Sequence, residues 1–274
     1  MLPAKGSGLE MIMHNELFTI GPVTIYGYGF MIATGILAAY LNTVYLAKKA
    51  GQSQEPVFYL LIIGAGSGII GAKLMYYITV LDEIIANPRT LLNLTDGFVV
   101  YGGIIAGILG AWAYSHYKKL PFLSYLDAAV PSVALAQGFG RIGCFLAGCC
   151  YGMEMDCPFS ITFTHSAYAP NNVPLFPSQL VSSVFDFVHF FVLCALFKRN
   201  KTPGKIGALY LIFYSIGRFI IEFFRGDLER GSIGVLSTSQ FISIFVAIAG
   251  IAMLFLLDRK EKHGKDPIYC FSKR

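Results

Sequence analysis

The sequence predicts an all-α, polytopic integral membrane protein with about seven transmembrane helices, its N-terminus outside and its C-terminus cytoplasmic. Three observations predict it. The 274 residues are 55% hydrophobic and only 14% charged, with a mean hydropathy of +0.61, whereas a soluble domain carries about 25% charged residues. The apolar residues gather in runs near the ~20 residues needed to cross ~30 Å of hydrocarbon. The lysines and arginines fall in short loops on alternate sides of those runs, the distribution that sets orientation in a membrane. The net charge of +5 is therefore a topology signal, and no nucleic-acid partner is expected. Six cysteines over this length do not make a disulfide scaffold.

Residues 1–22 are mixed, carry Pro3, Gly6, Gly8 and Pro22, and read as a surface segment with a short amphipathic piece at about 11–20. The first span is expected at 23–46, ended by Lys48 and Lys49. It is about as long as a full crossing and has no basic leader directly before it, so it does not read as a cleavable signal peptide. The second span, 57–80, is rich in glycine (Gly64, Gly66, Gly68, Gly71). A loop at 81–96 carries Asp82, Glu83, Arg89 and Asp96, and the third span covers 97–116. The fourth covers 127–146, with Asp127 as an interfacial cap. Residues 147–176 form the longest polar-leaning stretch, an extracytoplasmic loop region with Pro158, Pro170 and Pro174. The fifth, sixth and seventh spans are placed at 177–197, 206–224 and 235–257, and a short basic cytoplasmic tail occupies 258–274. No repeat stands out, so the whole chain, 1–274, is expected to be a single transmembrane domain.

Orientation follows from the loops. Lys48, Lys49, Lys118, Lys119, Lys198, Arg199, Lys201, Lys205 and the tail fall on one side, against Lys5, Arg89, Arg225 and Arg230 on the other. The basic side is cytoplasmic. Three basic residues then remain inside spans: Lys73, Arg141 and Arg218. All three come to lie in the outer leaflet on three different helices. Glu222 and Arg225 follow Arg218 at i+4 and i+7 and are expected to share its face, with Tyr214 one turn earlier. Tyr26, Tyr28 and Tyr101 open spans at similar depth.

An intramembrane charge costs roughly 2.5–3.5 kcal/mol on insertion scales, so three cations and a carboxylate at one depth should cluster. A salt-bridged plug, with Glu222 pairing Arg218 or Arg141 and Lys73 snorkelling, would satisfy part of the charge. The remaining positive charge suits an anionic ligand, and a phospholipid phosphate has the right charge and depth. Arginine holds such a group with two parallel hydrogen bonds. Most span glycines, including Gly103 and Gly107, read as small-residue helix packing. Gly140 and Gly143 flank Arg141, where packing and ligand access both remain open. Asp186 and His189 in the fifth span read as polar packing more than catalysis. The other histidines, His14, His116, His165 and His263, lie in loops or at ends, and no metal spacing appears. Cys149-Cys150 resembles no zinc pattern; a disulfide to Cys157, or packed thiols, are both open.

These features together resemble the prolipoprotein diacylglyceryl transferases over nearly the whole chain. The resemblance lies in Tyr26-Gly27-Tyr28-Gly29, in Gly71-Ala72-Lys73-Leu74, and in the segment from Asp96 through Tyr101-Gly102-Gly103. It continues in Gly140-Arg141-Ile142-Gly143-Cys144-Phe145, in Pro177-Ser178-Gln179-Leu180, and in the stripe from Tyr214 through Arg218 and Glu222 to Arg225. The order and topology of these motifs make the likeness specific. It implies a bacterial inner-membrane, multi-pass enzyme whose active site faces the extracytoplasmic side. The implied reaction moves the diacylglyceryl group of phosphatidylglycerol to the lipobox cysteine in the signal peptide of a preprolipoprotein. A thioether forms and glycerol 1-phosphate leaves. No cofactor and no metal is implied, and the partners are that lipid, that peptide and the surrounding membrane lipids.

The resemblance also implies roles. Arg141 and Arg218 would hold phosphate and stabilise the leaving group, with Glu222 orienting an arginine or the glycerol hydroxyls. Tyr28 and Tyr214 would supply hydrogen bonds, and Lys73 and Arg225 positive potential. Gly102 and Gly140 would line the lipid. The sequence departs from the family where Tyr101 replaces a histidine proposed as base for the thiol. It departs again at Cys144, which replaces an asparagine, at Phe176, which replaces a histidine, and at Val181-Ser182, which replace tyrosine-glutamate. The lipid side thus looks retained and the acceptor side altered. Two other readings follow: a divergent phospholipid-dependent transferase with another acceptor, and a non-catalytic lipid-binding membrane protein. A transporter should carry polar residues along a full crossing path, whereas the ionisable residues here gather at one end.

Overall fold

The computed structural model describes residues 9–12, 16–93, 97–227 and 231–262. Asp96, Arg230, His14, His263, Lys5 and most of the basic tail lie outside the described residues. The chain is mostly helical, with short β-structure at the ends of its helices. It packs as two compact units, one of residues 1–43 and 126–274 and one of residues 44–125.

In the first unit, β1 (Leu9–Ile12) pairs in parallel with β4 (Ile161–Thr164), which pairs antiparallel with β5 (Pro174–Leu175). β2 (Glu16–Ile20) and β3 (Val23–Tyr26) form an antiparallel hairpin that turns at Gly21, where φ is +59°. The described residues of the amphipathic piece, 11–12 and 16–20, and the first residues of the expected first span are therefore in strands. The turn at Gly21-Pro22 and the β-branched run Val23-Thr24-Ile25 favour a hairpin, which hydropathy alone does not distinguish from the start of a helix. Helix α1 begins four residues later than expected and covers Gly27–Lys49.

The second unit is built on α2 (Glu55–Thr79) and α4 (Val100–Tyr117), with a short α3 (Leu81–Ala86) and a 3-10 turn (Pro88–Leu92) between them. Its glycines are the reason the two long helices come together. A Cβ on Gly68 would sit 3.3 Å from the Gly103 carbonyl oxygen, and one on Gly71 would sit 2.6 Å from that of Gly102. The expected small-residue packing is present, and it draws in Gly102 as well.

The remaining helices are α5 (Phe122–Ala147), α6 (Ser178–Phe197), α7 (Lys205–Glu222) and α8 (Thr238–Lys262). Gly138 accommodates the Phe187 ring, which a Cβ would approach to 2.8 Å, and Gly217 accommodates the Phe185 ring. Gly250 on α8 lies against the α7 backbone, 3.1 Å from the Ala208 carbonyl oxygen to a built Cβ. The loop after α5 folds over a small core of Phe145, Ile161, Phe163, Ala169 and Leu175.

Asp127 does not cap its own helix. α5 starts five residues earlier, at Phe122. The buried Asp127 carboxylate instead accepts from the backbone N–H groups of Gly204 (2.8 Å) and Gly207 (2.9 Å) at the start of α7. Those N–H groups have no partner within their own helix, so a side chain from α5 closes the N-terminus of α7.

Among the described residues, five helices are long and apolar enough to cross a membrane: Gly27–Lys49, Glu55–Thr79, Phe122–Ala147, Ser178–Phe197 and Thr238–Arg259. α4 and α7, at 18 residues each, are less apolar: α4 ends in Ser115, His116 and Tyr117, and α7 carries Lys205, Arg218 and Glu222. Leu37, Ile62, Ile69, Ile105, Val184 and Ile248 stand exposed on helix faces, a surface suited to lipid and costly in water. The architecture is that of an all-α, multi-pass membrane protein.

Candidate functional site

A small cleft in the first unit is lined by Arg141 of α5, Ser182, Phe185 and Asp186 of α6, and Tyr214, Arg218 and Ile221 of α7. The sequence places these residues there by helical spacing. Ser182 and Asp186 are four apart on α6, and Tyr214, Arg218 and Ile221 recur at intervals of four and three on α7, so each set shares a face.

Arg218 is held from two sides. Its guanidinium lies 2.6 Å from the Glu222 carboxylate one turn later, and it donates to the Ser239 hydroxyl of α8 at 2.9 Å. Both ends of the ion pair are buried, with side chains 12% and 5% exposed. Such a pair fixes geometry more than it adds stability. Arg141 differs: it is half-buried and has no hydrogen bond or ion pair among the described residues. Asp186 is only 5% exposed and faces the same cleft, again without a direct hydrogen bond. The cleft thus presents an uncommitted guanidinium, a braced guanidinium and a carboxylate. That set can take a phosphate on one side and hydroxyl donors on the other.

An aromatic stack backs the cleft. Tyr214 stacks on Tyr210 at 5.8 Å, and His189 stacks on Tyr210 at 5.2 Å. The Tyr210 hydroxyl donates to Gln137 at 3.0 Å. Neither His189 nitrogen has a hydrogen-bond partner among the described residues, and the ring sits in the stack, in line with the expected polar packing. Asp186, expected as polar packing, lines the same cleft as Arg141 and Arg218. Its signal was available: a carboxylate at membrane depth, one turn from Ser182.

Around Arg141 the two glycines divide their roles. A Cβ on Gly143 would lie 3.2 Å from the Tyr28 ring and 3.3 Å from Met31, so Gly143 lets α5 approach α1. The nearest atom to a Cβ on Gly140 is Ile32 at 3.7 Å, an ordinary contact, so packing does not require glycine there. Tyr28, in the first turn of α1, is 44% exposed.

Arg225 does not extend the α7 stripe. The helix ends at Glu222, and two turn residues later Arg225 forms a β-bridge with Gly152. Its Nε and a terminal nitrogen donate to the two Asp227 oxygens at 2.9 and 2.7 Å. Burial pulls the Arg225 pKa down, but the hydrogen bonds and charge of Asp227 outweigh it and raise it overall, so the group stays charged. Its charge is largely matched by Asp227, which narrows its contribution to local potential.

The Pro177-Ser178-Gln179 start of α6 fixes the turn beyond α5. Ser178 donates to the Cys150 carbonyl and Gln179 to the Cys149 carbonyl, each at 2.9 Å. That turn carries Cys149 and Cys150 back beside Cys144, and the three Sγ atoms lie within 4.8 Å of one another. Among the described residues, neither these cysteines nor Cys157 and Cys194 are in disulfides.

In the second unit, Lys73 is buried, with its ammonium 4.9 Å from the Tyr76 ring, 5.0 Å from Tyr77 and 5.2 Å from Phe98. The rings stabilise the cation where water is scarce. The extended residue Val99 donates to the Ala72 carbonyl at 3.1 Å, which places the first turn of α4 beside Lys73. Tyr101, in that turn, is 43% exposed. Gly102 next to it is buried against Gly71 and Met75.

Residues 15–256 match the model of the family described as prolipoprotein diacylglyceryl transferase. The chain is 48% identical over 250 residues to the phosphatidylglycerol--prolipoprotein diacylglyceryl transferase of Clostridium tetani (strain Massachusetts / E88), covering 91% of this chain and 100% of that protein. It is 46% identical over 243 residues to the phosphatidylglycerol--prolipoprotein diacylglyceryl transferase 2 of Clostridium perfringens (strain 13 / Type A), covering 88% and 93%. The corresponding protein of Finegoldia magna (strain ATCC 29328 / DSM 20472 / WAL 2508) is 33% identical over 243 residues, covering 88% and 94%. By its sequence across nearly all of its length, this chain belongs to the prolipoprotein diacylglyceryl transferase family.

Proposed function

We propose that this protein is a phosphatidylglycerol--prolipoprotein diacylglyceryl transferase. It moves the diacylglyceryl group of phosphatidylglycerol onto the lipobox cysteine in the signal peptide of a preprolipoprotein. The carbon–sulfur bond forms at the glyceryl carbon as its bond to the phosphate oxygen breaks. Glycerol 1-phosphate leaves with that electron pair, and the thiol proton passes to a base or to the departing phosphate.

The observation that carries this reading is the uncommitted Arg141 guanidinium lining one cleft with the braced Arg218–Glu222 pair. Arg141 and Arg218 take the phosphate and stabilise the charge that grows on it as the bond breaks, when such donors count most. Glu222 keeps Arg218 aimed. Tyr214 and Tyr28 supply hydrogen bonds, Asp186 receives glycerol hydroxyls, and Gly140 leaves room beside Arg141. Arg225 and Lys73 add positive potential, and Gly102 sets the packing beside Lys73. Tyr101 receives the thiol proton or orients the thiol. A free thiol has a pKa of about 8.5 and a tyrosine about 10, so this tyrosine needs nearby positive charge to act as a base.

The whole chain acts as one transmembrane domain of seven spans in the bacterial inner membrane, N-terminus and site outside, C-terminus cytoplasmic. The charge bias of the loops supports this topology. Cells depleted of their own diacylglyceryl transferase and supplied with this gene test the function. Lipid-modified prolipoprotein should return. In purified membranes Arg141→Ala should lower thioether formation at least about a hundredfold; activity retained by that variant would overturn the assignment of the cleft.

A further inference from the structure

We propose that Cys144, Cys149 and Cys150 form a three-thiolate site for a thiophilic divalent cation of the zinc class. The proposal concerns the turn beyond α5 and stands independently of the transferase reading.

The geometry comes first. The three Sγ atoms lie within 4.8 Å of one another. Zinc binds thiolates at ~2.3 Å, which puts coordinated sulfurs about 3.8 Å apart in a tetrahedral shell, so small side-chain rotations complete the set. The spacing resembles no zinc motif because the turn, and not the sequence interval, brings the sulfurs together. Gly148 (φ +73°) and Cys150 (φ +60°) both adopt left-handed backbone, and the Cys149 N–H donates to the Cys144 carbonyl at 3.1 Å. The chain thereby folds back over the helix end. The turn is fixed from α6 by the Ser178 and Gln179 bonds to the Cys150 and Cys149 carbonyls. Both of these side chains are nearly fully buried. Ligands on so constrained a backbone are held in place before an ion arrives.

The surroundings suit the charge. A divalent ion on three thiolates carries a net charge of −1. Arg225 lies near Cys150 and adds positive charge beside it while its donors engage Asp227, a neighbour of the kind that tunes a ligand without itself touching the metal. Arg141 lies one turn before Cys144 and adds positive charge to the same region. On binding, three thiols give their protons to solvent, three sulfur–metal bonds form and all but one of the hydrated ion's waters leave. No oxidation state changes, and the fourth position keeps water. The ion would clamp the end of the helix carrying Arg141 to the segment paired with Arg225 through Gly152.

The test uses full-length protein in detergent under reducing conditions, stripped with chelator and re-equilibrated with zinc chloride. About one zinc per chain should remain after desalting. Simultaneous Cys144→Ser, Cys149→Ser and Cys150→Ser substitution should abolish it, while the Cys157→Ser, Cys194→Ser pair retains it. Cobalt(II) should give a thiolate-to-metal charge-transfer band in the parent and none in the triple variant. Should the triple variant misfold, Cys150→Ser alone should weaken zinc affinity at least about tenfold. Zinc content or cobalt spectra unaffected by these substitutions would overturn the proposal, as would a disulfide among the three cysteines in protein isolated without reductant. Transferase activity is measured separately, so failure of zinc binding leaves that reading untouched.

Discussion

Asp186 and Arg141 project from neighbouring helices into one cleft without bonding each other, although each would gain from a partner at that depth. The buried carboxylate and the half-buried guanidinium leave a small polar gap between them, at the place where the proposed function puts the lipid headgroup. We predict that Asp186→Ala lowers kcat/KM for phosphatidylglycerol by about tenfold to a hundredfold, with Asp186→Asn intermediate. Steady-state rates over a range of lipid concentration check it. Identical kinetics in all three proteins would remove Asp186 from the site.

Glu222 braces Arg218 at 2.6 Å with both side chains buried. Removing one partner of a buried pair leaves an uncompensated charge and costs about 3–5 kcal/mol. Glu222→Ala should therefore reduce both thermal stability and activity. Replacing the pair together, Arg218→Met with Glu222→Leu, should restore much of the stability and none of the activity. Melting curves beside thioether assays separate the two effects; activity in the double variant would sink the assigned role.

Tyr101 is the residue proposed to receive the thiol proton. A positioned acid–base group contributes roughly 10²–10⁴ in rate, so Tyr101→Phe should slow transfer at least about a hundredfold. Tyr101→His should recover activity. Unchanged turnover in the phenylalanine variant would show that the thiol ionises without it.

Asp127 joins α5 to the start of α7 through two backbone bonds of 2.8 and 2.9 Å. Caps of this kind contribute about 0.5–2 kcal/mol. Asp127→Ala should lower the thermal midpoint measurably, while the fraction that remains folded keeps its turnover. Gly71→Ala should be still more destabilising, because a Cβ there overlaps Ala106 and meets the Gly102 carbonyl oxygen.

Composition, run length and loop charge determined the membrane class and placed most helix boundaries within a few residues, because hydropathy and chain length act locally. The same local logic singled out Arg141, Arg218 and Glu222, since intramembrane charge is rare and the i,i+4 relation is set by helix geometry alone; Arg141 and Arg218 line one cleft and Glu222 pairs with Arg218. Local logic misread the hairpin before α1, where strand and helix share the same apolar residues and only pairing with Glu16–Ile20 decides. It also misread Arg225, because the end of α7 is set by pairing with residues after α5 and not by periodicity. Three things were decided only by tertiary structure. Asp127 caps a helix more than seventy residues ahead of it, since α5 packs against that terminus. Asp186 faces the arginines, since the rotation of α6 is fixed by its neighbours. Cys144, Cys149 and Cys150 converge, since a left-handed turn held by Ser178 and Gln179 folds them over one helix end.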